Sequence, residues 1–264
     1  MILLQKIIIF MLYTLSEMEA NNPLIVTAFP TSKTKVKSND MMDSGVIPKH
    51  PFRAILSGSS GSGKTNLLIH LLTQKEFYKN YFNYIFIISP TAGKLDDSYN
   101  ALSENNPKTK IRVINDLDPD IIETIMNTNK KIILKKKVHK SPKILIVYDD
   151  IISNGVFMRS KSFIHSFIAS RHYNASVFIC SQKYNAIPRV ARIQANAIFF
   201  FRGTNGEREI LAIDHSPPGY SKREMESIID HATIDPYSFL FINMQSSNKE
   251  RFRKGLDQIM ELSK

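Results

Sequence analysis

The sequence predicts an α/β fold in which a mostly parallel sheet is covered by helices on both faces. Several short runs are apolar at every position rather than at alternate positions, which indicates strands buried on both sides. Helix-like segments separate these runs, in the order typical of parallel sheets. The carboxyl ends of such strands meet at one edge, where ligands bind. Polar residues follow five of the runs, at Gly58 to Thr65, Ser89, Asp149-Asp150, Ser181-Gln182 and Arg202.

Composition narrows the class of protein. A chain of 264 residues suits one α/β domain with short extensions. The single cysteine, Cys180, rules out an internal disulfide framework and fits a reducing compartment; it lies in an apolar run, where we expect a buried thiol. The seven histidines show no metal-ligand spacing, so we predict no structural zinc. The net charge of +11 favours a polyanionic partner such as nucleic acid, with lysine-rich solubility as the alternative.

The chain divides into an N-terminal extension, a main domain and a basic C-terminal tail, at residues 1–49, 50–245 and 246–264. Residues 1–15 are strongly apolar, but a bilayer span takes about 20 apolar residues and this run contains Lys6. No small-residue cleavage site follows, so translation from Met18 and a peripheral anchor are the two interpretations. Residues 19–49 are expected to form a poorly ordered, extended arm. The tail from Lys249 is expected to be helix-like and peripheral.

The elements of the main domain follow from local patterns. Ser221 is expected to cap a charged helix, and Pro119 lies in the first turn of another. Residues 130–143 are lysine-rich and are interpreted as a loop that faces DNA or solvent, with solvent favoured. The predicted strands cover residues 52–57, 84–89, 111–114, 144–150, 176–181, 197–201 and 237–242. The predicted helices cover residues 66–72, 118–127, 161–170 and 222–231.

The stretch after the first predicted strand matches G-x-x-x-x-G-K-[ST], the phosphate-binding loop. Its glycines and serines allow the backbone to curl so that successive N–H groups point into one concavity. Lys64 can reach the β- and γ-phosphates, and the Thr65 hydroxyl can bind Mg²⁺. A strand before the loop and a helix after it favour nucleotide binding over a chance Gly/Ser-rich turn. The loop consists of Gly58, Ser59, Ser60, Gly61, Ser62, Gly63, Lys64 and Thr65.

Two carboxylates and an amide follow the central predicted strands. Asp149 ends an apolar run and suits the second Mg²⁺-side ligand of phosphate-loop proteins. Asp150 lies beside the metal position, where a carboxylate can polarise water for attack on the γ-phosphate; capping of the next turn is the alternative. Gln182 can position that water and sense the γ-phosphate because its amide both donates and accepts hydrogen bonds.

Phosphoryl transfer also benefits from a guanidinium that neutralises developing charge. Arg171, Arg189 and Arg192 flank the strand before Gln182 and are the candidates. Each of them is equally suited to a surface position or to contact with DNA.

Five stretches in residues 50–205 occur in a specific order and spacing: Pro51-Phe52-Arg53, Gly58 to Thr65, Leu145 to Asp150, Arg171 to Ser176, and Cys180 to Tyr184 with Pro188 and Arg192. Together they resemble the viral genome-packaging ATPases of poxvirus type, which belong to the FtsK–HerA superfamily and occur in large DNA viruses and their virophages. The phosphate loop is generic, whereas Asp-Asp followed by Arg-His and then Ser-Gln-Lys-Tyr is specific. The resemblance weakens after Arg202, so it assigns no capsid-docking segment.

The resemblance implies a RecA-like P-loop NTPase core that uses ATP and Mg²⁺. It implies a homo-oligomer, assembled as a ring, that drives double-stranded DNA into a preformed capsid. It assigns Asp150 as the second Walker B acid, Gln182 as the polar sensor and Arg171 as the arginine finger. The expected location is the viral assembly site in the host cytoplasm or the virion. Capsid or inner-membrane proteins of the virion are the expected docking partners, with no small-molecule substrate beyond ATP.

Other classes are weighed against a packaging motor. A GTPase switch would need Asn-Lys-x-Asp, and the closest stretch, residues 129–132, lacks the aspartate. A nucleotide or small-molecule kinase would need an acceptor pocket and would not need Gln182. Two alternatives stay open. One is a P-loop ATPase that acts in DNA transfer, in recombination or as a helicase-like enzyme. The other is a DNA-binding protein that is not a motor and uses nucleotide only to order its fold.

Overall fold

The computed structural model of the protein describes residues 39–92 and 99–260. The apolar run at residues 1–15, Met18 and the arm as far as residue 38 lie outside the described residues. In the described part, no helix is long and apolar enough to cross a membrane.

The strands of the described residues form one sheet. Their bounds are β1 Arg53–Ser57, β2 Tyr84–Ile88, β3 Lys110–Ile114, β4 Ile144–Asp149, β5 Ala175–Ser181, β6 Ala197–Phe201, β7 Phe239–Asn243, β8 Phe252–Lys254 and β9 Gln258–Ile259. The order across the sheet is β3-β2-β4-β5-β1-β6-β7-β8-β9. Strands β1 to β6 pair in parallel, and β7 to β9 continue the sheet as antiparallel strands. The predicted mostly parallel α/β fold is confirmed.

Helices cover both faces of this sheet, as the sequence predicts. Their bounds are α1 Asp40–Asp43, α2 Lys64–Thr73, α3 Asn100–Asn105, α4 Pro119–Lys136, α5 Gly155–Met158, α6 Lys161–Ile168, α7 Arg189–Arg192, α8 Asn205–His215 and α9 Lys222–Ala232. The expected cap of α9 is confirmed, because the Ser221 side chain accepts a hydrogen bond from the Glu224 backbone N–H.

The strand pattern divides the apolar side chains into two cores. In β4, Ile146 and Tyr148 join a core that includes Phe163 and Phe167 of α6. The intervening Leu145 and Val147 join a second core, which includes the leucines of α2. Successive side chains of a strand point to opposite faces, so a run that is apolar throughout can fill both cores. Cys180 of β5 is fully buried in the second core, which confirms the expected buried thiol.

The prediction of an extended arm is wrong for residues 39–49. This segment contains α1, and Met41, Met42 and Ile47 are buried in the second core. The main domain therefore gains packing from residues before Pro51. Met41 and Met42 are adjacent and Ile47 follows five residues later, which is neither a helix nor a strand period, so the sequence does not reveal this contact.

The prediction of a lysine-rich loop at residues 130–143 is wrong for the first half of that range. Helix α4 continues to Lys136 instead of ending near residue 127. Ile122, Met126 and Asn129 lie on its buried side at helical spacing. The Asn129 side chain donates to the backbone oxygen of Tyr173 over 2.6 Å, which ties the later turns of the helix to the domain.

Two further differences lie after Arg202. Helix α8 is missing from the predicted elements, although Thr204 and Glu207 form a capping box whose T-x-x-E spacing is visible in the sequence. The prediction of a helix-like tail from Lys249 is wrong for most of the described residues: one 3₁₀ turn at Asn248–Glu250 is followed by β8 and β9. Phe252 is buried between the sheet and its helices. Strands of three and two residues are too short to show alternation among charged neighbours.

Candidate nucleotide-binding site

The loop between β1 and α2 contains two glycines with positive φ values. Gly61 and Gly63 have φ values of +74° and +99°, in the left-handed region that favours glycine. A Cβ atom on Gly58 would lie 2.5 Å from the Phe201 Cβ atom at the end of β6, so this position admits glycine without a shift. The loop therefore packs tightly against the sheet and delivers Lys64 to the first turn of α2.

Lys64 is turned back onto its own loop. Its Nζ atom donates to the backbone oxygens of Gly58 and Ser59 over 2.7 and 2.8 Å, and the residue is only 9% exposed. Burial lowers the pKa of the Lys64 ammonium. The Cys180 thiol and the carboxylates of Asp149 and Asp150 lie nearby and partly oppose that shift. A phosphate that enters the loop would offer this ammonium a charged acceptor in place of two neutral carbonyls.

Asp149 is the last residue of β4 and is held by a tyrosine. The Tyr99 hydroxyl donates to Asp149 Oδ2 over 2.6 Å, and Tyr99 is buried. Sequence reasoning missed Tyr99, because it lies 50 residues from Asp149 and follows no recognisable motif. Its hydrogen bond fixes the carboxylate in one orientation.

Asp150 and Gln182 form a pair above the ends of β4 and β5. Gln182 Nε2 donates to Asp150 Oδ1 over 3.0 Å. Asp150 has a φ of 53°, and its side chain makes no capping hydrogen bond to the turn that follows. The capping alternative therefore has no support in the structure. The unusual backbone conformation directs the chain into a turn directly after the strand.

Both side chains border a cavity with the phosphate-binding loop. Its volume of about 420 Å³ lies in the range of small-molecule sites. The lining residues come from the loop and the start of α2, from the segment after β2, from the ends of β4 and β5 and from the turn before β7. They are Ser60, Gly61, Gly63, Lys64, Thr65, Asn66, Thr91, Asp149, Asp150, Cys180, Gln182 and Tyr237.

Of the other residues predicted at this edge, two support the cavity and one lies outside it. Ser89 is buried, and its hydroxyl is 3.2 Å from that of Thr91, which lines the cavity. The Ser181 hydroxyl donates to the Lys183 backbone oxygen over 2.7 Å and so shapes the turn that carries Gln182. Arg202 is exposed and is not part of the cavity lining formed by the described residues.

The three candidate arginines have different surroundings. Arg192 is buried: its Nε donates to Asp214 Oδ2 over 2.8 Å and its Nη1 to the Ile187 oxygen over 2.7 Å. The Arg189 side chain is 72% exposed and lies 3.6 Å from Asp214. Arg171 is exposed in the turn before β5, at the edge of the sheet opposite the cavity. The structure therefore brings none of them to the cavity of its own chain.

The fold and this site together define a P-loop nucleotide-binding protein. The family of poxvirus A32 proteins matches residues 41–215, and the chain belongs to that family.

Individual relatives agree with this assignment. The chain is 28% identical over 144 residues to the DNA packaging protein OPG160 of Variola virus and of Vaccinia virus, which covers 54% of this chain and 50% of each relative. The chain thus spans about half the length of the curated relatives it matches.

Solved structures share the fold. The genome packaging NTPase B204 of Sulfolobus turreted icosahedral virus 2, in complex with AMP, matches with a TM-score of 0.53 at 16% identity, over 78% of this chain and 96% of that chain. The same protein in complex with ATP-gammaS gives 0.52 at 15% identity, with the same coverage of both chains. At this identity the likeness shows the fold alone.

Proposed function

We propose that this protein is an ATP-hydrolysing motor that moves double-stranded viral DNA into a preformed capsid. The observation that carries the proposal is the cavity in which the phosphate-binding loop faces Asp149 and the Asp150–Gln182 pair. A loop alone binds phosphate, whereas a loop that faces a carboxylate–amide pair has the groups needed to bring water to the γ-phosphate. Membership of the A32 family and the name of the OPG160 relatives favour packaging as the task.

The residues divide the chemistry between them. Lys64 binds the β- and γ-phosphates, and the loop N–H groups bind the remaining oxygens. Asp150 accepts a proton from the attacking water, and Gln182 orients that water through its amide. The hydrogen bond between the two side chains holds both at the same position above the sheet.

Thr65 and Asp149 have the chemistry of a Mg²⁺ site. Hydroxyl and carboxylate oxygens are hard ligands, and Mg²⁺ is commonly bound by one or two protein oxygens with phosphates and waters. We expect phosphate and water oxygens to complete the coordination of the ion. When bound, the ion would neutralise charge on the phosphates.

Hydrolysis that drives DNA movement should respond to DNA. We expect wild-type turnover of ATP to rise when long duplex DNA is added, and to stay at background in Lys64→Ala with or without DNA. A steady-state phosphate-release assay measures this. Turnover that duplex DNA leaves unchanged would contradict the motor, and turnover of GTP in place of ATP would indicate a switch.

Duplex DNA is the partner that the charge of +11 favours. We expect binding through phosphates, with affinity that falls steeply with salt by close to one unit of log–log slope per contact. Fluorescence anisotropy with duplexes of unrelated sequence measures both effects. Affinity that stays flat between low and physiological salt, or that depends strongly on one short sequence, would contradict this proposal. The expected place of action is the viral assembly site in the host cytoplasm or the virion, with capsid or inner-membrane proteins as docking partners.

The proposed active assembly is a ring of identical subunits. Arg171 lies at the edge of the sheet away from its own cavity, so a guanidinium there is better placed for a neighbouring subunit's γ-phosphate. Arg189 is the second candidate, because Arg192 is already held by Asp214 and a backbone oxygen.

A further inference from the structure

One side of the cavity has no role in the proposed phosphate chemistry, which uses the loop, Asp149, Asp150 and Gln182. The carboxylates and Gln182 follow β4 and β5, which lie on one side of β1 in the sheet. On the other side lie β6 and β7, and Tyr237 lines the cavity from the turn before β7. Because β7 runs antiparallel to β6, its first residues return to the edge that holds the phosphate-binding loop.

Tyr237 borders that loop directly. Its Cδ1 atom would lie 3.7 Å from a Cβ atom placed on Gly63. A nucleotide whose terminal phosphate points towards Asp150 has its base at the far end of the molecule. Because β4 and β7 lie on opposite sides of β1, Tyr237 lines the side of the cavity that is opposite Asp150.

Tyr237 has a backbone conformation that tyrosine rarely adopts. Residues 235–238 form a turn in which the Ser238 N–H donates to the Asp235 oxygen over 3.2 Å. Pro236 is the second residue, and Tyr237 is the third with a φ of 61°. A positive φ at the third position normally requires glycine or asparagine, and a bulky residue there is an outlier. Strain of this kind is concentrated at ligand sites.

The ring itself is available for contact. Tyr237 is 51% exposed, although most aromatic side chains near it, such as Phe201 and Phe239, are buried in the core. A half-exposed aromatic ring that lines the cavity offers a flat surface to a planar ligand.

We propose that Tyr237 forms the base-binding wall of the nucleotide site by stacking on the nucleobase. This inference rests on the proposed function, since it assumes that the cavity holds a nucleoside triphosphate. Stacking uses the π-face that every base possesses, so it adds affinity with little choice between adenine and guanine. Residue 237 lies beyond residue 215, where the family match ends.

The test compares Tyr237→Gly and Tyr237→Phe with wild type. Calorimetric titrations with Mg²⁺ present use three ligands: ATP-gammaS, GTP-gammaS and tripolyphosphate, which lacks a base. Tyr237→Gly should weaken both nucleotides about 5- to 100-fold and leave tripolyphosphate unchanged. Tyr237→Phe keeps the ring and should stay within about threefold of wild type for all three ligands.

Melting temperature separates loss of the ring from loss of the fold. Glycine adopts a positive φ without steric cost, so Tyr237→Gly should melt no lower than wild type. Unchanged ATP-gammaS affinity in Tyr237→Gly, or an equal loss for tripolyphosphate, would overturn the stacking role. If wild type itself binds none of the three ligands and Lys64→Ala behaves identically, the proposed nucleotide site fails, and not the assignment of Tyr237 alone.

Discussion

The two edges of the parallel sheet use similar polar residues for different purposes. At the carboxyl edge, where β1, β4 and β5 end, the Asp150–Gln182 pair borders an open cavity. At the amino edge, where these strands begin, the polar side chains are bonded within the fold. Asn174 donates to the oxygens of Ser141 and Pro142 over 3.2 and 3.1 Å, and its Oδ1 lies 2.9 Å from His50 Nε2.

His50 is another residue of the amino edge whose side chain is hydrogen-bonded within the fold. Its Nδ1 atom lies 2.7 Å from the Ser176 hydroxyl, and burial lowers the pKa of His50 to about 4. The imidazole is therefore neutral at physiological pH and serves as a fixed hydrogen-bonding group. A polar residue at a strand end is therefore a site candidate when it borders a cavity, and a structural residue when it is buried away from any cavity and hydrogen-bonded within the chain.

Arg171 is the exception at the amino edge, since it is exposed there, and it gives the largest expected effect. Arg171→Ala should lower turnover on the order of 10³-fold because an arginine finger stabilises transition-state charge. Mixing Arg171→Ala with Lys64→Ala under subunit exchange should restore activity, because some junctions then join an intact loop to an intact Arg171. Phosphate release measures the recovery.

The matched control mixes Arg171→Ala with the double variant Lys64→Ala/Arg171→Ala, in which no junction contains an intact Arg171, and this mixture should stay inactive. A mixture that stays inactive although mixed oligomers form would contradict a role in trans. Full activity of Arg171→Ala alone would contradict any catalytic role, and would transfer the question to Arg189.

Two amides sharpen the comparison of the edges. Asn174→Ala should lower the free energy of unfolding by about 2–4 kcal/mol, because it removes the hydrogen bonds of a buried side chain to the Ser141 oxygen and to His50 and places alanine at a φ of 49°. Gln182→Ala should leave the free energy of unfolding within about 0.5 kcal/mol of wild type, because Gln182 is exposed, and should slow ATP turnover. Urea unfolding and phosphate release measure the two effects. If Gln182→Ala lowered the free energy of unfolding and Asn174→Ala did not, the assignment of a structural role to the amino edge and a functional role to the carboxyl edge would be contradicted.

Tyr99→Phe gives the smallest expected effect. It removes the hydroxyl that donates to Asp149 but keeps the buried ring. We expect the Mg²⁺ concentration for half-maximal turnover to rise about tenfold, as for other groups that orient a metal ligand. Tyr78→Phe is a suitable control, since the Tyr78 hydroxyl donates to the Pro48 oxygen, away from the cavity. An equal Mg²⁺ requirement in Tyr99→Phe and wild type would argue against an orienting role.

The side of the cavity that the loop, Asp149, Asp150 and Gln182 form was predictable from the sequence, whereas the side that Tyr237 forms was not. The loop glycines, Asp149, Asp150 and Gln182 each follow an apolar run, so the rule that parallel strands end at one edge suffices to group them. Tyr99 and Tyr237 belong to connections that become neighbours of the site only through the sheet order. No local pattern marks either of them.

The same reason explains the errors in the fold. Burial of Met41 and the pairing of β8 with β7 depend on distant partners, whereas the sequence nearby is polar. The regular elements were predictable because their own residues carry the period of the strand or helix. Short segments that are ordered by packing alone do not carry it.

Within the one cavity, we expect Lys64 to bind the nucleotide and Asp150 to activate water. The most direct test of these two roles measures ATP affinity and single-turnover hydrolysis in Lys64→Ala and Asp150→Asn, with Mg²⁺ and duplex DNA present. We expect Lys64→Ala to lose binding and hydrolysis together, and Asp150→Asn to retain ATP with near wild-type affinity while it hydrolyses it far more slowly. Near-normal hydrolysis in Asp150→Asn would contradict the role of Asp150.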